Sequence, residues 1–174
     1  FLGMRITWYA GKIRNMEQWD GYPAARKRLF DLIEENELKN IVFLTGDDHA
    51  SFAYEVGKPD EFKDYLEKPE VSPLAVELVT PSISSANFDE YLPSFLLKKF
   101  QDQYPLHNPH LKWLDLTEHG YMHLQITAEK IKARWYFVPT LLQPQAGKRL
   151  AKEFTIPNGQ PRLLSRLLEV RGET

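Results

Sequence analysis

The chain has no cysteine in its 174 residues. That excludes disulfides and thiolate metal sites, and it leaves the cellular compartment open. Charge of one sign is lacking too. Lys and Arg number 22 against 24 Asp and Glu, for a formal charge of −2. No basic field is present, so nucleic acid is not an expected partner. Long hydrophobic runs are missing, and the apolar stretches fall far short of the roughly 20 residues a membrane span needs. No signal peptide is visible, and Phe1 in place of methionine reads as a cut in a longer chain. What is present suits one globular unit: 43% hydrophobic and 26% charged residues, with enough length to bury a core.

Residues 1–18 read as a strand end and a loop. "WDGYPAARKRLFDLIEEN" predicts a helix with Pro23 in its first turn, where the missing N–H has no partner to lose. Ala25, Leu29, Leu32 and Ile33 mark its apolar face. "IVFLT" predicts a fully buried strand, while "SFAYEVG" fits either a short strand or a helix. "KPDEFKDYLEKPEV" is a polar surface segment and "LAVELVT" a second strand. "DEYLPSFLLKKFQDQYP" predicts a helix that "LHNPH" breaks. Residues 111–138 read as three antiparallel strands turning at Glu118–Gly120 and Thr127–Lys130. "AKEFTI" adds a strand, and "RLLSRLLEVRGET" is a short amphipathic end suited to a partner surface. The fold class is α/β, a mixed sheet with flanking helices. One αβ unit feeds the sheet, and an antiparallel meander follows.

The chemistry gathers in "VFLTGDDHASF". A glycine after a buried strand permits a tight turn and aims the next side chains beyond the sheet edge. In open α/β sheets ligands bind beyond the carboxyl ends of the strands. In extended geometry Asp47 and His49 project to one side and Asp48 to the other. A carboxylate and an imidazole together make half a metal site; a catalytic metal takes at least three protein ligands. An ordinary Gly-Asp turn explains the same residues. Both readings stand on spacing alone.

The ordered set "WDGYPAARKRLFDLI", "IVFLTGDDHAS", "LAVELVTPSISSANF", "NPHLKWLDLTEHGYMHLQIT" and "ARWYFV" resembles the C-terminal half of the PhoD-like alkaline phosphatase and phosphodiesterase family. That family belongs to the calcineurin-like metallophosphoesterases. The resemblance spans about residues 15–140, and more weakly 153–164. It implies half of a two-sheet metallophosphoesterase sandwich, with 1–174 the C-terminal part of the domain. It implies hydrolysis of phosphate mono- or diesters. Gly46-Asp47-Asp48-His49 matches the family's Gly-Asp-x-His motif, so Asp47 and His49 are implied metal ligands and His49 the catalytic candidate. Asp48 occupies the variable position. Iron with calcium is the implied metal set, with manganese and zinc as alternatives.

Trp19 and Tyr22, from the family's Trp-Asp-Gly-Tyr stretch, are candidates for the substrate cleft, as are Asn108 and His110 of the Asn-Pro-His signature. Trp19 and Tyr22 fit a hydrophobic staple at a helix entry equally well. His107 is a weaker candidate, and His119 is expected to be exposed in its turn. Gly120-Tyr121 is a family signature without a role. Ser82, Ser84 and Ser85 shape a loop, and no G-x-S-x-G elbow supports a serine hydrolase.

The family's N-terminal half supplies further metal ligands through aspartate, asparagine and histidine motifs, and nothing here matches them. The expected partner is therefore the missing N-terminal half, or an oligomer partner. A periplasmic or secreted setting follows from the resemblance only. The rival expectation is a catalytically inactive relic that keeps the fold as a binding or structural module.

Overall fold

The computed structural model describes residues 19–57, 73–144 and 147–165. The expected opening strand end, the polar segment around 58–71 and the amphipathic tail beyond 165 lie outside the described residues. A short 3-10 turn, Trp19–Gly21, leads into helix α1 (Pro23–Glu35). Strands β1 (Ile41–Thr45), β2 (Ser51–Val56) and β3 (Ala75–Val79) follow. Helix α2 (Ser94–His107) precedes β4 (Leu111–Asp115). The chain continues through β5 (Gly120–Ile126), β6 (Lys130–Phe137), β7 (Arg149–Pro157) and β8 (Leu164–Ser165).

Two sheets form, in the orders β1-β3-β2-β4 and β5-β6-β7-β8. The first is mixed, with β1 parallel to β3 and β2 antiparallel to both β3 and β4. The second is antiparallel throughout. Side-chain alternation along β3 divides the core. Ala75 and Val79 join Phe30, Ile33, Leu97 and Tyr104 on the helix side. Val76 and Leu78 meet Trp135, Phe137, Phe154 and Ile156 between the sheets. Helices, mixed sheet and antiparallel sheet thus make three layers, as two apolar faces on one strand require.

Several expectations need correction. Residues 111–138 are not one meander, because β4 pairs with β2 and only β5 and β6 continue into the second sheet. The cause is Asp115, whose Oδ1 accepts from the amides of Thr117 and Glu118 at 3.0 and 2.9 Å and turns the chain away. β1 is the last strand in its sheet among the described residues, and Leu44 is 60% exposed, so it is not fully buried. The buried face of α1 runs through Phe30 and Ile33, and Leu32 faces outward. α2 begins after Pro93 rather than around it. The open segment 51–56 resolves as a strand buried along its whole length.

Trp135 ties the layers together. Its ring is fully buried between the sheets, and its Nε1–H donates to the Val79 carbonyl at 2.9 Å. Trp113 meets it edge-on at 5.2 Å. A Trp135→Phe substitution keeps an aromatic ring but removes this hydrogen bond across the layers. We expect a loss of about 1–3 kcal/mol, read as a lower urea midpoint with an unchanged slope. An unchanged midpoint would mean the bond contributes nothing net.

Candidate functional site

Strand registers define two ends of the first sheet. Thr45 and Phe52 both pair with Val79, and Ser51 with Asp115, so these residues share one end. Ile41 and Val56 both pair with Ala75, and Tyr54 with Leu111, so they mark the other. Residues 46–50 leave the first end and carry the chain from β1 across the end of β3 to β2.

The turn is not extended. Asp47 (φ 73°) and His49 (φ 52°) both occupy the left-handed region. Strained backbone of this kind at non-glycine residues, each costing of order 1–3 kcal/mol, gathers at ligand sites and tight turns. The alternation expected for Asp47, Asp48 and His49 therefore does not apply. Asp47 is exposed, His49 and Asp48 are half-buried, and the Oδ2 atom of Asp48 is buried.

The His49 ring has a defined orientation. Its Nδ1 lies 2.8 Å from the Ala86 carbonyl oxygen. A carbonyl can only accept, so Nδ1 carries a proton, and in the neutral ring Nε2 is then the nitrogen with the free lone pair. An imidazole whose far nitrogen donates to a carbonyl is the arrangement found in metal-ligating histidines. Burial pushes the Asp48 carboxyl up to about 6, with the Asp47 and Glu77 carboxylates adding to the rise and His49 opposing it. Beneath the turn, Thr45 Oγ1 donates to Glu77 Oε1 at 2.7 Å. This concentration of carboxylates beside a presented imidazole nitrogen fits a cation. Asp47 and His49 are the residues that would hold it. Among the described residues no group of three or more His, Asp or Glu side chains gathers as a metal cage.

The loop after β3 walls this end. Ala86 accepts from His49, while Asn87, 1% exposed, donates from Nδ2 to the Thr117 carbonyl at 2.9 Å. Ser82 Oγ lies 3.0 Å from Asn87 Oδ1 and 3.3 Å from His119 Nδ1. These contacts account for Ser82 as a loop-shaping residue. His119, expected to be exposed, is held between Ser82 and Glu90, with Nε2 3.5 Å from Glu90 Oε1. Turn sequences look solvated when their partners lie far away in the chain, as Ser82 and Glu90 do here.

The other candidates divide. Trp19 packs on the helix-side core, and Tyr22 is 59% exposed just before α1. A helix joined to β1 by a short connection runs back along it, so both lie toward the end where β1 stops. Asn108 and His110 are brought to the opposite end, beside Leu111. Asn108 is fully buried and donates from Nδ2 to Tyr104 O at 2.9 Å, closing α2. His110 is 1% exposed and stacks on Tyr54 at 5.4 Å. The structure does not bring them together with Asp47 and His49. His107 ends α2 on that same far side.

Three layers, helices on a mixed sheet on an antiparallel sheet, define an α/β sandwich. A family model described as "PhoD-like phosphatase" matches residues 3–135, and the chain belongs to that family. The chain is 31% identical over 153 residues to "Alkaline phosphatase D" of Bacillus subtilis (strain 168), covering 87% of this chain and 24% of that protein. It also superimposes on a solved structure titled "Structure of PhoD" with a TM-score of 0.73 and 28% identity, over 95% of this chain and 30% of that one. The chain thus spans less than a third of either relative. No described helix is long and apolar enough to cross a membrane.

Proposed function

We propose that this chain supplies the C-terminal part of the active site of a metal-dependent hydrolase of phosphate mono- or diesters. The observation that carries the reading is the His49 ring, whose Nδ1–H is committed to Ala86 O and whose Nε2 is thereby presented at the end of β1. Family membership supports phosphoester chemistry. A bound metal ion lowers the pKa of a water and offsets phosphoryl charge. Asp47 contributes anionic charge from an exposed position on the strained turn. His49 contributes a neutral nitrogen whose tautomer is fixed from behind. Tyr22, exposed at the same end, is suited to meet the alcohol portion of the ester, with Trp19 anchoring it from the core side.

The remaining ligands come from sequence beyond this chain, the missing N-terminal half by the family resemblance, or from an oligomer partner. Iron with calcium is the favoured metal set, since carboxylates suit calcium and imidazole a transition ion. A location outside the cytoplasm accords with the same resemblance. The test is the metal content of the full-length protein by elemental mass spectrometry, after dialysis without chelator. Wild type should hold near-stoichiometric metal, and both Asp47→Asn and His49→Ala should lose part or all of it. A metal-free wild type, or variants that retain the full complement, would sink the reading and favour a relic of the fold.

A further inference from the structure

The carbonyl that accepts from His49 belongs to a peptide group held at both faces. Its oxygen, on Ala86, is 2.8 Å from His49 Nδ1. Its N–H, on Asn87, donates to Glu90 Oε1 at 3.1 Å. His119 Nε2 approaches the same carboxylate oxygen at 3.5 Å. A continuous line therefore runs from His49 Nδ1–H through the Ala86–Asn87 peptide to Glu90, with His119 behind it. The Asn87 side chain pins this peptide to the turn after β4 through Thr117 O. A further link, from Gly120 N–H to Ser82 O at 3.0 Å, ties the loop to the start of β5.

We propose that Glu90 is a positioning residue for His49, acting through the Ala86–Asn87 peptide. It holds the imidazole in the Nδ1–H form that presents Nε2 at the end of β1. The physical basis is twofold. Accepting from the Asn87 N–H fixes the rotation of the peptide plane, and so the direction in which Ala86 O points. An anionic acceptor on an amide N–H also polarises the carbonyl of the same amide, making that oxygen a stronger acceptor for Nδ1–H. Outer partners of this kind fix the tautomer and raise the basicity of a ligating histidine. The inference rests on the reading of His49 as a ligand only for its bearing on catalysis. The positioning itself is a property of this chain.

A plain alternative exists in the same geometry. Asn87 and Glu90 stand at the N-cap and third positions of the 3-10 turn Phe88–Glu90, so Glu90 also serves as a cap. A cap alone affects stability and leaves the His49 tautomer where it was.

The test uses the full-length, metal-free protein with 15N-labelled histidine. His49 is assigned by the resonances lost in His49→Gln, and tautomers are read from long-range 1H–15N correlations. Wild type should show Nδ1 protonated and Nε2 as the bare nitrogen. Glu90→Ala and Glu90→Asp should lose that preference, the aspartate because it is one methylene too short to reach. Glu90→Gln should retain it, since its amide oxygen still accepts from Asn87 N–H. Glu90 is half exposed, with 52% of its side-chain surface accessible, so the shorter variants are expected to fold. Wild-type His49 protonated on Nε2, or an unchanged tautomer in both Ala and Asp variants, overturns the proposal. A tautomer that responds as expected in a protein that binds no metal upholds the positioning role and removes the proposed function instead.

Discussion

Gly120→Ala is expected to cost about 3 kcal/mol, near the top of the usual range for overpacking. Gly120 opens β5 opposite Phe137, and a Cβ there would lie 2.0 Å from the Tyr136 carbonyl oxygen. That neighbour is backbone, so no rotamer change relieves the overlap. Either β5 peels from β6 or the strands separate locally. The effect would spread beyond the sheet. Gly120 N–H donates to Ser82 O at 3.0 Å, and the preceding residue accepts through its carbonyl from Val138 N–H at 2.9 Å. Moving the strand start therefore pulls on the loop that carries Ala86 and Asn87. Urea unfolding of the full-length protein should show the lowered midpoint. Amide exchange should rise first at residues 120–122 and 136–138. A midpoint within about 0.5 kcal/mol of wild type, the scatter of ordinary surface changes, would mean that the strand end yields freely. Glycine is required here by space, and that gives the Gly-Tyr signature the role its sequence alone did not supply.

Local pattern made some parts of this architecture legible and left others hidden. The helix over Pro23–Glu35 and the strands at Ile41–Thr45, Ala75–Val79 and Lys130–Phe137 follow from period and composition, and they stand where expected. Their burial did not follow. An apolar run such as "IVFLT" reads the same at the centre or the margin of a sheet, because strand order depends on pairing between distant segments. The same limit concealed the exchange of sheets between Asp115 and Gly120. Asp-x-Thr-Glu is only a turn in sequence, and nothing local says that the next strand joins different neighbours. Leu32 reads as part of the apolar face and instead faces outward, because helical spacing alone admits either face when apolar residues are frequent.

At the site, the motif located the turn but not its shape. Strand alternation places Asp47 and His49 on one side, whereas the chain puts both residues at positive φ. Asn87 and Glu90 were absent from the candidates, although Asn-x-x-Glu is a readable capping box. Its connection to His49 was out of reach, since Ala86 and His49 are 37 residues apart in the chain. Asn108 and His110 read in sequence as candidates for the substrate cleft. Both are buried at the far end of the sheet from His49, with His110 stacked on Tyr54, because the motif does not say toward which end its loop turns.

On the proposed function, His49→Ala should lower kcat/KM for a simple aryl phosphate by about a thousandfold in the full-length protein. Under that proposal the substitution removes a metal ligand and forfeits several kcal/mol of charge stabilisation in the transition state, and each 1.4 kcal/mol is a factor of ten in rate. Truncation at this position removes two things at once. The Nε2 lone pair goes, and the Ala86 carbonyl loses its donor. His49→Gln separates them in part, because a side-chain amide can still donate toward Ala86 without offering an imidazole nitrogen. Comparable losses in the alanine and glutamine variants would assign the effect to the missing nitrogen. A loss confined to alanine would assign it to the collapsed loop. Tyr22→Ala provides the contrast within the same end of the fold. A side chain that only meets the alcohol portion of the ester should raise KM several-fold with kcat little changed, as expected for uniform binding. Should His49→Ala retain activity within tenfold of wild type, the imidazole would be a turn residue.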